Sequence, residues 1–276
     1  MPGLVPGIRV PGDNKGVDGR VKPGRVRDNA ENTGPFASDD DITSPMLILA
    51  IDTALDACAA GVLDTDAGEL IAMESQAMKR GHAEALMPLI GRVMKDSGIA
   101  FATLDRVAVT TGPGSFTGLR VGLSAARGIA LAADKPVVGL STLAAYAAPV
   151  VAENAGHPVI SVIDARHDQV YFQAVSGDGG SLIRPRVAPI GEVLDAVRFG
   201  APHLVGNAAR IVSQRWPGQA PPPFRIDEQS APDIAWVAWL GAAVSPDTAP
   251  ARPLYLRAPD AKIPKQALQT AAQRPS

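Results

Sequence analysis

From Met46 onward, apolar and polar positions fall into short runs with two distinct periods. Met46–Asp52 is an unbroken apolar run ending in Ile-Asp-Thr, the signature of a buried strand. Ala57–Leu63 and Glu69–Gln76 predict two more strands, joined by the turn Asp64-Thr65-Asp66-Ala67-Gly68. His82–Ser97 switches to helical spacing, with Leu86, Leu89, Ile90 and Val93 on one stripe and Met87 and Met94 to another side. Gly98 closes it as a left-handed cap. Asp105–Thr111 reads as a strand, Ser115–Ala133 as a helix N-capped by the Ser115 hydroxyl, and Pro136–Leu140 as a further strand. The order is β-β-β-α-β-α-β.

The second half repeats the theme. Val159–Asp164 is again an apolar strand ending in Ile-Asp, and Gln169–Ser176 alternates as a strand does. Ile51-Asp52-x-x-x-Asp56 and Ile163-Asp164-x-x-x-Asp168 match at a fixed offset, which points to an internal duplication. Helical stretches follow near Gly191–Val197 and Pro232–Val244. The expected fold class is α/β, with two similar halves side by side. Residues 46–150 form the first and 151–276 the second, with a C-terminal tail.

Residues 1–45 read differently. Pro-Gly pairs at 2–3, 6–7, 11–12 and 23–24 break any helix or strand, and the segment ends in Asp39-Asp40-Asp41. It is expected to be a disordered extension preceding a folded protein that begins at Met46. It lacks both the apolar core of a secretory signal and the acid-poor character of a transit peptide. No apolar run reaches the length of a membrane span, so no membrane partner is expected. The single cysteine, Cys58, cannot form an internal disulfide, which fits a cytoplasmic protein. A net charge of −2, from 26 Lys and Arg against 28 Asp and Glu, provides no overall field to attract nucleic acid.

Five segments, in order, carry a resemblance. The block Thr111-Gly112-Pro113-Gly114-Ser115-Phe116-Thr117-Gly118-Leu119-Arg120-Val121-Gly122 closely resembles the hallmark of the TsaB (YeaZ) family. Leu47–Ala54, His82 with Pro88-Leu89-Ile90, Ile163-Asp164-Ala165-Arg166 and Pro253-Leu254-Tyr255-Leu256-Arg257 agree with it, so that the likeness spans residues 46 to about 262. The resemblance implies two ribonuclease-H-like halves of the actin-like ATPase superfamily. It also implies partners: the catalytic subunit TsaD and the ATPase TsaE, which with this subunit build threonylcarbamoyladenosine in tRNA. tRNA would be reached through the complex, and ATP and metal would sit on the partner subunits, with no cofactor on this chain.

The residues needed for chemistry are missing. In the catalytic paralogue a His-x-x-x-His pair binds metal, two imidazoles sharing one helix face. The matching positions here are Thr142 and Tyr146, and His82, His157, His167 and His203 are scattered. A glycoprotease-like metallopeptidase therefore lacks its metal pair. A free-standing actin-like ATPase lacks its phosphate loops: Asp52-Thr53 is followed by Ala54, Gly112-Pro113-Gly114-Ser115 has no lysine, and Val205-Gly206-Asn207 has one glycine. Ser115 lies outside any Gly-x-Ser-x-Gly elbow, and Cys58 reads as a packing residue. An RNA-binding module would need a basic face with aromatics, and Trp216, Trp236 and Trp239 do not supply one. No catalytic residue is assigned.

Two sets of site residues remain. Gly118, Gly122, Ala126 and Ala130 recur every four positions, letting another helix or sheet approach closely. They could pack within the fold or against a partner; the resemblance favours a partner, since TsaB and TsaD are thought to join through their first two helices. The implied interface comprises His82, Leu86, Met87, Ile90, Met94, Phe116, Gly118, Leu119, Gly122 and Ala126. The same sticky helix pair could make a homodimer when TsaD is absent. Arg120 and Arg127 share a face and could meet carboxylates of the partner or remain solvated. Asp52, Thr53, Asp164 and Arg166 sit at strand ends. There they either make turns with backbone amides or line a degenerate nucleotide cleft.

Overall fold

The structure, a computed structural model, describes residues 44–153 and 156–257. The extension expected over residues 1–45 lies almost wholly outside the described residues. The first sheet holds β1 (Leu47–Asp52), β2 (Ala57–Asp64), β3 (Glu69–Ala77), β4 (Arg106–Gly112) and β5 (Val137–Ser141), in the order β3-β2-β1-β4-β5. β1, β2 and β3 pair antiparallel, whereas β1, β4 and β5 pair parallel. The second sheet holds β6 (Val159–Asp164), β7 (Gln169–Val175), β8 (Ser181–Pro189), β9 (His203–Val205) and β10 (Arg225–Asp227). Its order, β10-β9-β6-β7-β8, has the same pattern of parallel and antiparallel pairs. The duplication legible in the Ile-Asp matches is thus a duplication of topology: Asp52 and Asp164 each end the central strand of their sheet.

β1 is apolar from Leu47 to Ile51 because both its faces are covered. Leu49 and Ile51 point into a core with α1 (His82–Ser97) and α2 (Phe116–Ala133). Ile48 and Ala50 point the other way, toward α3 (Thr142–Ala152) and α6 (Ile234–Ala243). α6 therefore returns from the second half of the sequence to cover the first sheet. Its Gly241 lies so close to Ala108 on β4 that an added Cβ would overlap it. Arg106 fastens its end, donating from Nη1 to the carbonyls of Gly241 (2.7 Å) and Val244 (2.6 Å). Trp236 and Trp239 pack beside this core.

The second sheet carries the short helices α4 (Ile190–Leu194) and α5 (Ala209–Gln214) around Phe172, Leu204 and Val212. A further apolar cluster joins the halves, with Leu143, Tyr146 and Val150 of α3 meeting Leu55, Leu119, Ile163 and Val205. After α6 the chain runs along β5. Gly139 N donates to Ala249 O (2.8 Å) and Leu254 N to Thr111 O (2.8 Å).

The strands and helices read from periodicity appear within a residue or two of their expected limits, except that the stretch near Gly191–Val197 is α-helical only over Ile190–Leu194 and continues as a 3-10 turn over Asp195–Phe199. Gly98 adopts the left-handed cap (φ 67°), and the Ser115 hydroxyl accepts from Gly118 N at 3.3 Å. Five elements carry no sequence signal: α3, β8, β9, α5 and β10. α3 is apolar on every side, so it has no helical period to read. β8 contains Pro185 and Pro189 and lies at a sheet edge, where proline is tolerated.

Candidate functional site: a groove between the first two helices

The turn after β1 and the glycine-rich block before α2 fold against each other. Ser115 N donates to Ala54 O (2.7 Å), and the Thr53 hydroxyl donates to Gly118 O (2.8 Å). A Cβ on Gly114 would strike the Ala54 carbonyl, one on Gly118 the Thr53 carbonyl, and one on Gly122 the Thr53 hydroxyl, each well under 3.0 Å. Glycine is needed at Gly114 and Gly118 because two backbones meet without room for a side chain, and at Gly122 because the Thr53 side chain fills the space. The small-residue stripe of α2 is thus spent inside the chain, and Ala126 and Ala130 continue it into the core.

Most residues of the implied interface are taken up within the chain. Of its ten residues, Leu86, Ile90, Met94, Gly118, Leu119, Gly122 and Ala126 are buried in this chain's own core. His82 is buried as well, its Nε2 3.1 Å from Leu55 O. Met94, read as lying on a second face, joins Leu89 and Val93 in the core, because α1 sits deep enough on the sheet to cover it. Only Met87 and Phe116 are exposed, at 51% and 46%.

Those two residues mark what the helix pair does present. α1 and α2 diverge at the surface to leave a groove of about 500 Å³, lined by Ala83, Leu86 and Met87 from α1 and by Phe116, Thr117, Arg120, Val121, Ser124 and Ala125 from α2. Its walls are mainly apolar, and Leu86 forms part of the floor. The Arg120 guanidinium lies over the Phe116 ring, 3.9 Å from its centroid, and Tyr255 flanks the same ring at 5.7 Å. Arg127 points elsewhere and is occupied: its Nε donates to Ala251 O at 3.1 Å, and its Nη2 bonds the same oxygen. Sequence reasoning missed Ala83, Thr117, Val121, Ser124 and Ala125. Val121 and Ala125 flank the glycine stripe and are partly buried against the same core, so they carry no separate period that marks them as groove residues.

The second set of residues is divided between burial and exposure. Asp52 and Thr53 are 0% and 1% exposed, covered by the glycine-rich block. Asp52 Oδ1 accepts from the Thr110 hydroxyl (2.5 Å) and from Ala54 N (3.1 Å), while Oδ2 is buried with no protein partner. Burial pushes this carboxyl above the ordinary carboxylate range, against the opposing pull of those hydrogen bonds. Asp164, its counterpart, is exposed. It accepts from Arg166 N at 2.8 Å, and its own N–H donates to Asn207 Oδ1 at 2.8 Å. Arg166 is exposed too, the first of three residues in left-handed conformation (φ 63°, 51° and 62°). Among the described residues no glycine-rich helix covers this second turn, and equivalent aspartates end in opposite environments.

Thr142 and Tyr146 are both buried on α3, and the Tyr146 hydroxyl donates to Gln229 O (2.9 Å). Among the described residues no three His, Cys, Asp or Glu side chains cluster to hold a metal ion. No described helix is long and apolar enough to cross a membrane. Cys58 is buried within β2, and burial pushes its thiol up to about 11.

The paired five-stranded sheets, with one strand order repeated, define an α/β protein of two topologically equivalent halves. A family model described as TsaD, tRNA N6-adenosine threonylcarbamoyltransferase, matches residues 71–210. The chain is 37% identical over 130 residues to the tRNA threonylcarbamoyladenosine biosynthesis protein TsaB of Haemophilus influenzae, covering 47% of this chain and 54% of that one. It is 31% identical over 171 residues to the protein of the same name from Escherichia coli, covering 62% and 69%. YeaZ from Pseudomonas aeruginosa superposes with a TM-score of 0.64 at 28% identity, over 76% of this chain and 100% of that one. The chain belongs to the TsaB/YeaZ family.

Proposed function

We propose that the chain is a non-catalytic subunit of the assembly that makes threonylcarbamoyladenosine in tRNA, docking the catalytic subunit TsaD in the groove between α1 and α2. The observation that carries this reading is the groove itself. The two helices bury one face in their own core, yet keep Met87, Phe116, Val121 and Ala125 on a concave, mainly apolar surface. A groove of this kind suits the apolar face of a partner helix. TsaE joins the assembled pair, and two copies of the chain pair through the same groove when TsaD is absent. tRNA, ATP and metal are handled through the partner subunits.

The non-catalytic reading draws support from the interior. The turn at Asp52-Thr53 has its space taken by Gly114 and Gly118, and the α3 positions of the metal pair hold Thr142 and Tyr146.

The test is to mix the full chain with TsaD of the same organism and measure heterodimer formation by calorimetry, comparing wild type with Met87→Gln. This substitution keeps size and adds no charge. Burying its amide in an apolar contact weakens binding about ten- to hundredfold, from a cost of about 1–3 kcal/mol. Absence of binding by the folded wild type would overturn the reading.

A further inference from the structure

Within the groove, Arg120 is a lone charge. The other lining residues are Ala83, Leu86, Met87, Phe116, Thr117, Val121, Ser124 and Ala125, and among the described residues no ion pair involves Arg120. The other arginine of this helix singled out by spacing, Arg127, is satisfied by Ala251 O. Arg120 instead sets its guanidinium carbon over the Phe116 ring, one helical turn away and 3.9 Å from the centroid. A guanidinium held over an aromatic face by cation–π attraction keeps hydrogen-bonding capacity for a partner.

We propose that Arg120 is the specificity-determining residue of the groove, pre-set on Phe116 to receive a carboxylate from the docking helix of the partner. The inference rests on the reading that this groove docks TsaD, and adds the chemistry of the contact. A guanidinium fork matches the two oxygens of an Asp or Glu side chain, and Phe116 with Tyr255 shields one side of the pair from water. Apolar walls then take the helix's neighbouring aliphatic side chains. A partner helix without the acid leaves Arg120 desolvated and unpaired, which penalises wrong partners as well as favouring the right one. An RNA phosphate is a poorer occupant, since backbone binding draws on several cations along a track and this groove holds one.

The experiment measures the affinity of the full chain for TsaD at low and high salt, for wild type, Arg120→Met and Arg120→Lys. Arg120 is exposed, so the variants retain the fold, which their melting temperatures verify. Arg120→Met is expected to weaken binding about thirtyfold, the loss typical of an interface arginine anchor. It also flattens the salt dependence, whereas Arg120→Lys preserves that dependence and recovers part of the affinity. If wild type binds and Arg120→Met binds equally well with the same salt response, the carboxylate proposal is wrong and the docking reading stands. If Arg120→Met leaves TsaD affinity intact but weakens tRNA binding, the groove's cation serves RNA and the proposal is overturned. If wild type does not bind TsaD, the docking reading fails first and takes this one with it.

Discussion

Two glycines of one helix make a sharp test of which way α2 faces. A Cβ on Gly118 would lie well under 3.0 Å from the Thr53 carbonyl, a backbone atom at the end of a central strand that cannot swing aside. A Cβ on Gly128 meets nothing within 4 Å. Replacing either by alanine brings the same helix propensity gain, about 1 kcal/mol. At Gly118 the overlap costs about 3 kcal/mol, the upper end for overpacking because the obstruction is main chain. Displacement of the helix also sacrifices the Thr53–Gly118 hydrogen bond, worth about 1 kcal/mol. The net expectation is a loss of about 3 kcal/mol for Gly118→Ala and a gain of about 1 for Gly128→Ala. At about 2–4 °C per kcal/mol for a chain of this size, the melting temperature falls by about 6–12 °C in the first and rises by about 2–4 °C in the second. Differential scanning calorimetry of both variants reads this directly. Equal shifts in the two would refute the inward packing of the stripe, because propensity alone cannot separate them.

Two further outcomes follow from buried groups. The folded-state pKa of Asp52 is raised above its ordinary 3.8, so between those two values the folded protein holds a proton that the unfolded chain has released. Its stabilising contribution is fully present below pH 3.8 and is lost as pH rises through the folded pKa, by at most about 1.4 kcal/mol per pH unit. Asp52→Asn removes that dependence while an amide oxygen keeps the bonds from Thr110 and Ala54, so its stability relative to wild type should grow from pH 4 to pH 8; a pH-independent difference in denaturant midpoints contradicts the argument. Cys58, buried and with its thiol raised to about 11, should resist a thiol reagent at pH 8 in the native state and react fully in denaturant; rapid labelling of folded protein would show that β2 opens.

How far the site was legible follows from what each signal encodes. The period of four in Gly118, Gly122 and Ala126 correctly announced a close approach, but a period says nothing about whose backbone approaches. Thr53, 65 residues before Gly118, is the neighbour, and that is a fact of the fold. Likewise Arg120 and Arg127 are equivalent in spacing, yet only the path of the chain after α6 brings Ala251 to Arg127 and leaves Arg120 on Phe116. Met94 and Met87 are both apolar and lie on the same helix. The depth at which α1 rests on the sheet decides that one is core and the other surface.

By itself, the sequence determined what depends on neighbours along the chain: the strands around Ile51-Asp52 and Ile163-Asp164, the Gly98 cap, the Ser115 cap and the repeated halves. Periodicity and cap chemistry are local, and they survive in one dimension. Only the tertiary structure decided which face of the α1–α2 pair is free, why Asp52 is sealed while Asp164 is open, and where α6 returns. Each of those turns on contacts between residues distant in sequence, whose burial and hydrogen bonding exist only once both sheets have assembled.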